Sequence, residues 1–304
     1  MKIFLTGATG YIGGTVAARL IAAGHQVTGL VRSEAGEAAL RERGVVPLRG
    51  SLADRAILAE AARRADAVIN AANSDNRDII EAVLPELQGT GKVFIQTSGS
   101  SIVGDKAGGE LGAKIYDETI PVTPLPEKAP RVAINDAVLA AAKDGVRAIV
   151  LCPSLIYGAG SGIHRDSVQV PRLIELAKKN GIAKHVGAGE NIWSHVHIDD
   201  VASLFLLALD SAPAGSFFYA ENGEASMKSM AQAISRMLGM DGSTEAWPLD
   251  EAIKAWGRES AEFTFASNSR VRAVKACREL DWSPEGPPLL LDIEHGSYRR
   301  THGA

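Results

Sequence analysis

Apolar and polar positions alternate between two periods along the first half of the chain. Lys2-Ile3-Phe4-Leu5-Thr6 is an apolar run of strand length, and Ile12, Val16, Leu20 and Ile21 recur near 3.6-residue spacing, which predicts an amphipathic helix over 11–23. Strands are predicted next at 26–31, 45–48, 67–71 and 92–97, with helices at 33–43 (closed by Gly44), 54–65 and 75–87 between them. A Pro- and Gly-rich excursion over 98–130 precedes a helix at 131–144 and a strand at 146–151. Strict alternation of strand and helix with short connections predicts the α/β class, a doubly wound parallel sheet with helices on both faces.

After Cys152 the pattern loosens. Helices are expected at about 171–180, 199–209, 226–238 and 250–256, with short strands around 194–198 and 216–219, and three of the four tryptophans fall beyond residue 240. The expected division is a dinucleotide-binding domain over 1–151. A smaller C-terminal α/β lobe over 152–304 then covers the open edge of the sheet and shapes a substrate cleft, with some of its segments returning to the main sheet.

The candidate chemistry begins at the first strand-to-helix junction, Thr6-Gly7-Ala8-Thr9-Gly10-Tyr11-Ile12-Gly13. Glycines at such a junction let the backbone turn tightly, approach a pyrophosphate and pack the helix on the sheet. The unpaired N–H groups and positive dipole end of the helix then face the diphosphate. Gly7, Thr9, Gly10, Tyr11, Ile12 and Gly13 are therefore the expected contacts to a dinucleotide, and the sheet is expected to be of the Rossmann type.

Composition narrows the field further. With 304 residues, 46% hydrophobic and 22% charged, this is an ordinary globular composition with ample core. A net charge of −4 gives no electrostatic case for nucleic acid or an anionic membrane. Apolar stretches such as 201–209 are too short to span a bilayer. Cys152 and Cys277 stand in no metal-ligand spacing and read as buried, reduced thiols. With Met1-Lys2-Ile3 entering the first strand at once, a cytoplasmic protein without a bound metal is expected.

Four segments together resemble the short-chain dehydrogenase/reductase superfamily, specifically its extended or atypical branch with nucleotide-sugar epimerases and dehydratases. They are Thr6–Gly13, Phe94-Ile95-Gln96-Thr97-Ser98, Cys152-Pro153-Ser154-Leu155-Ile156-Tyr157-Gly158, and the stretch from Trp193 through Ala202 that includes Ser194-His195-Val196-His197-Ile198-Asp199-Asp200. The resemblance covers nearly the whole chain. It implies that the end of the second strand reads the adenine ribose. There Arg32 and Ser33 stand where a carboxylate would select a free 2′-hydroxyl, so NADP(H) is expected over NAD(H). It further implies Leu52 as an adenine wall, with Ser51 replacing the adjacent acid common in relatives. Ala71 and Asn73 fall beside the pyrophosphate and ribose, Thr97 at the end of the fifth strand, and Pro153 and Leu155 at the nicotinamide.

The usual catalytic pair of the superfamily is Tyr-x-x-x-Lys, in which the ammonium lowers the phenol pKa. Here residues four beyond the five tyrosines are Thr15, Ile120, Ser161, Gly223 and His302, never a lysine. Counting from Pro130, Arg131 and Asn135 hold approximately the positions of the pair, one helical turn apart. Arginine can stabilise an oxyanion or bind an anionic group but is a poor proton donor. Ser98 and Ser100, with Thr97 and Ser101, surround the expected serine position, and Tyr157 is the candidate proton donor near the nicotinamide, with Tyr116 in the excursion a weaker one. His195 and His197 read as structural or cleft-lining residues.

These readings predict an NADP(H)-dependent oxidoreductase that reduces a carbonyl or conjugated alkene of a small molecule with a non-standard proton donor. The alternatives are an NADP(H)-binding redox sensor without turnover, or an epimerase or dehydratase working through transient oxidation. The expected partner is a small-molecule substrate; the oligomeric state is left open, the resemblance implying a homodimer through helices beside the sheet as one option.

Overall fold

The computed structural model describes residues 1–303. The first half alternates as expected: β1 (Lys2–Thr6), α1 (Tyr11–Ala22), β2 (Gln26–Val31), α2 (Glu34–Arg41), β3 (Val46–Arg49), α3 (Arg55–Arg64), β4 (Ala67–Asn70), α4 (Asp78–Leu87), β5 (Val93–Thr97), α5 (Ala129–Ala140) and β6 (Arg147–Pro153). Then follow β7 (Leu155–Tyr157), α6 (Gln169–Asn180), β8 (Ala183–Val186), β9 (Ile192–His197), α7 (Ile198–Ser211), β10 (Ser216–Ala220), β11 (Glu224–Ser226), α8 (Met227–Met237), β12 (Thr244–Trp247) and α9 (Leu249–Trp256).

Seven strands form one sheet in the order β10-β6-β5-β4-β1-β2-β3, every pair parallel. Chain order reverses on either side of β1, so the crevice above the carboxyl ends of β1 and β4 is the switch point where such sheets bind ligands. One apolar core lies between the sheet and α1 with α7. A second lies between the opposite face and α3, α4 and α5. A third, around Trp193, Met227, Met230 and Phe265, belongs to the later elements. These carry a three-stranded sheet, β11-β9-β7, and a pair, β12-β8.

The strand expected near 216–219 is β10, and it joins the main sheet: Tyr219 stands opposite Cys152, and Ala220 opposite Pro153. Phe218, Tyr219 and Ala220 are all buried, the pattern of a strand covered on both faces. The helix expected at 131–144 begins at Ala129 and tightens into a 3₁₀ turn over Ala141–Asp144, ended by Gly145 at φ +76°. Residues 75–77, expected to be helical, are loop. The Asn73 and Asn76 side chains accept bonds from the Asp75 and Ile79 amides, an alternative to the helical ladder. That loop brings Asp75 to the site described next. No helix among the described residues is long and apolar enough to cross a membrane.

Candidate active site

The turn between β1 and α1 is held by glycine sterics. Gly7 has φ +76°, and a Cβ there would lie 2.4 Å from the Ala71 carbonyl oxygen at the end of β4. A Cβ on Gly13 would lie 2.2 Å from the Gly7 oxygen, so the helix rests directly on the turn. Gly10 differs: its Cβ would meet only the Gly7 oxygen, at 3.2 Å. Gly10 also caps α1 without a side chain, which leaves the first-turn N–H groups open to an anion. Two glycines thus serve the chain's own packing, and the middle one keeps a surface clear. Tyr11 and Ile12 offer main chain to that surface, because the Tyr11 hydroxyl donates to the Gly158 oxygen at 2.8 Å and Ile12 packs on the core. Thr9 is half-buried beside them.

A strap after β7 leans on the same helix. A Cβ on Gly14 would come within 2.9 Å of the Gly162 Cα, and the Ser161 amide donates to Thr15 Oγ1 at 3.2 Å. Sequence patterning gave no sign of this contact, because its partners are 146 residues apart.

Arg32 ends β2 exposed, and its guanidinium makes no ion pair among the described residues; nearby Arg49 is neutralised by Glu37 at 2.6 Å. Ser33 caps α2, accepting from the Gly36 amide at 3.1 Å, which leaves its hydroxyl hydrogen free to donate. Leu52 is half-buried against the core, and Ser51 ties Asp54 through amide and hydroxyl at 2.6 and 2.8 Å. Ala71 is half-buried at the Gly7 contact, and Asn73 is exposed.

Past β5, Thr97 is buried and its Oγ1 has no partner, a donor aimed at nothing in the chain itself. Ser98 Oγ accepts from Asn135 Nδ2 at 2.9 Å, while Asn135 Oδ1 stays buried and unpaired. Arg131 lies one turn before Asn135. It donates through Nε and Nη2 to Asp75 at 2.7 and 2.5 Å, and through Nη1 to Ser101 Oγ at 2.9 Å. A Cβ on Gly99 would sit 3.2 Å from Arg131 Nη1, so the absence of a side chain there makes room for the guanidinium. Burial works against the charge on Arg131, but the bidentate bond to Asp75 outweighs it and raises its pKa; the same bond holds the Asp75 carboxyl below the usual range. Cys152 lies deeper, its thiol pushed up to about 12 by burial and so an inert neighbour.

Ser98, Arg131 and Asn135 therefore come together at the ends of β5 and α5. Two other expected residues do not join them. Ser100 turns away: it is 1% exposed, and its hydroxyl accepts from Ser269 Oγ at 2.8 Å. Tyr157 is fully buried between His195 and His197, and its hydroxyl donates to the Pro287 oxygen at 2.6 Å. Burial drives its pKa well above that of a free phenol, which suits a packing residue. Tyr157→Phe is expected to cost about 1 kcal/mol, the worth of one buried hydrogen bond. Chemical denaturation would show that loss with cofactor affinity unchanged, whereas a general acid removed there would lower kcat by ~10²–10⁴.

Tyr116 is buried, and its amide donates to the Arg270 oxygen at 2.9 Å. His197 caps α7, accepting from the Asp199 amide at 3.3 Å, and burial pushes the His195 pKa down to about 4. Pro153 and Leu155 are buried on either side of the β6–β7 junction. Asp75 and Gly99, which with Ser101 fix Arg131, were missed by sequence reasoning. The Asn73-Ser74-Asp75-Asn76 run, rich in turn formers, was the available signal for the first.

Of two cavities, only the smaller bears on the site. The larger, about 1070 Å³, lies between α3 and the β1–β3 face and reaches the amino ends of the strands at Lys2 and Gln26, the rim opposite the glycine turn. The smaller, about 250 Å³, is lined by Asn135, Tyr219, Glu118, Val132 and Phe217, and so reaches the Ser98–Asn135 pair. The Tyr219 hydroxyl is also buried and unpaired, and burial raises the Glu118 pKa.

Residues 3–218 match the NAD dependent epimerase/dehydratase family. The chain belongs to that family. It is 31% identical to oxidase ucsJ of Acremonium sp over 96% of this chain and 95% of the relative. It is 29% identical to a 2-alkyl-3-oxoalkanoate reductase of Stenotrophomonas maltophilia over 83% and 78% of the two chains. The solved UDP-glucose 4-epimerase of Thermotoga maritima superposes with a TM-score of 0.77 at 19% identity, covering 99% of each chain, which confirms the fold. The family and its reductase relatives support a redox enzyme that binds a nicotinamide dinucleotide.

Proposed function

We propose that this protein is an NADP(H)-dependent reductase of a carbonyl, or of a conjugated alkene, in a small molecule. The observation that carries the reading is the convergence of Ser98, Asn135 and Arg131 above the same sheet edge as the open Gly10 surface. The residues present suit the cofactor: the glycine turn accommodates a diphosphate, Arg32 is an unpaired cation at the ribose position, and Thr97 keeps an unpaired hydroxyl at the end of β5. When bound, the reduced nicotinamide supplies a hydride.

Ser98 can then hydrogen-bond the substrate oxygen, while Arg131, permanently charged, stabilises the negative charge that develops on it. The proton must be replaced from outside, because Arg131 does not release one. Among the residues lining the 250 Å³ cavity, the Asn135 Oδ1 and the Tyr219 hydroxyl are buried and unpaired, and a turn of either side chain toward the cavity would meet a water that relays the proton. The name of the Stenotrophomonas relative, a reductase of oxo acids, supports the direction of the reaction.

NADPH consumption measured across aldehydes, ketones and enones tests this. Turnover of at least one class is expected, and Ser98→Ala should lower kcat by ~10²-fold, as the loss of one oxyanion donor does, with cofactor affinity unchanged. Tight NADPH binding with no oxidation by any class would instead support a sensor.

A further inference from the structure

The site holds a buried ammonium and a half-buried guanidinium whose partners are mostly in water. Lys128, at the foot of α5, is 4% exposed; its ammonium is ion-paired with Glu259 and lies 5.4 Å from the centre of the Phe263 ring. Arg131, one turn on, has a side chain 15% exposed and pairs with Asp75. The two carboxylates are the reverse, 67% exposed at Glu259 and 54% at Asp75. Lys128 lies close enough to help lower the Asp75 pKa, so one anion at the Asp75 position feels both cations. An ordinary surface pair such as Lys254–Asp250 is exposed on both sides, 76% and 73%.

This asymmetry has an energetic consequence. A buried cation left unpaired costs several kcal/mol, so Lys128 and Arg131 each require an anion. A carboxylate already half in water loses little when it is released into solvent. Exchanging Asp75 for another carboxylate is therefore close to neutral, and any further contact the newcomer makes tips the balance towards it. Asp75 sits on an irregular loop of local Asn turns, and Glu259 on a short segment between Gly257, at φ +78°, and a π-helical turn over Ala261–Phe265. Arg131 is held on α5 and Lys128 at its N-cap, whereas Asp75 sits on a loop and Glu259 on a single helical turn.

We propose that Lys128 and Arg131 form a carboxylate-binding pair, that Asp75 is its resident counter-ion, and that the substrate is an oxo acid whose carboxylate displaces Asp75. The carboxylate would take the Nε and Nη2 that now hold Asp75, on the same guanidinium whose Nη1 lies against Gly99, next to Ser98. The identification of the ligand as substrate rests on the reductase reading, while the anion site does not.

Ligand-observed NMR titration of the full chain with hexanoate and with hexanamide, with and without NADPH, tests the site independently of turnover. Hexanoate is expected to bind at least ~10-fold more tightly than its amide, the scale of one charge-assisted contact. Asp75→Asn, which removes the competitor on an exposed loop, should tighten hexanoate by about 5-fold or more and leave hexanamide unchanged. Arg131→Gln should abolish the preference. Equal binding of acid and amide, no binding of hexanoate, or an Asp75→Asn chain that binds hexanoate no better would each overturn the proposal. Reduction of neutral ketones without a carboxylate preference would leave the reductase reading standing and remove this one. A carboxylate preference without NADPH consumption would do the opposite.

Discussion

Gly13→Ala should abolish cofactor binding while the rest of the sheet still folds. The new methyl would stand 2.2 Å from the Gly7 oxygen, well inside contact distance of backbone that cannot rotate away. Either α1 lifts off the turn or the turn shifts toward Ala71, where Gly7 already has no room. Both movements spoil the alignment of first-turn N–H groups on which diphosphate binding depends. Overpacking of this kind costs about 1–3 kcal/mol of stability, within the reserve of a domain this size. Calorimetry is therefore expected to find NADPH affinity reduced by ~100-fold or more, with a cooperative but lower thermal transition. Gly10→Ala makes the internal control: its methyl meets only one atom, at 3.2 Å, so its stability loss should be smaller although it stands on the surface proposed for the diphosphate. A Gly13→Ala protein that bound NADPH like wild type would remove the basis for placing the diphosphate at this turn.

Arg32→Glu should invert cofactor preference. The guanidinium is exposed, ends β2 beside the α2 cap and has no carboxylate to neutralise it among the described residues. A charged hydrogen bond to a phosphate contributes about 1.5–3 kcal/mol, and reversal adds repulsion between two anions. NADPH is expected to weaken by ~100-fold, whereas NADH, which offers a neutral 2′-hydroxyl that a carboxylate can accept from, should stay within about 3-fold. The wild-type preference should also shrink as salt rises, because the contact is at the surface. Equal losses for the two dinucleotides would refute the phosphate assignment to Arg32.

The glycine turn was readable in the chain because its signals are local. Gly7, Gly10 and Gly13 lie within seven residues, and the strand before and helix after them announce themselves by period alone. Ser98 and Asn135 were each named on their own segment, and the hydrogen bond that joins them across 37 residues came only with the fold. Tyr157 and Ser100 show where such reasoning stops. Each lies close in sequence to the expected place, yet one hydroxyl is taken by Pro287, 130 residues away, and the other by Ser269, 169 residues away. Residue type and approximate address do not say which way a side chain points when the competing partner comes from another part of the fold.

The alternation of strand and helix, the parallel sheet and the glycine turn follow from periodicity and short-range sterics, so the linear chain was sufficient for them. The return of β10 to that sheet, the capture of Arg131 by Asp75, and the pairing of Lys128 with Glu259 across 131 residues depend on long-range packing. Such contacts form only once separate elements are brought together, since a buried charge or hydroxyl takes whichever partner the assembled fold sets within reach.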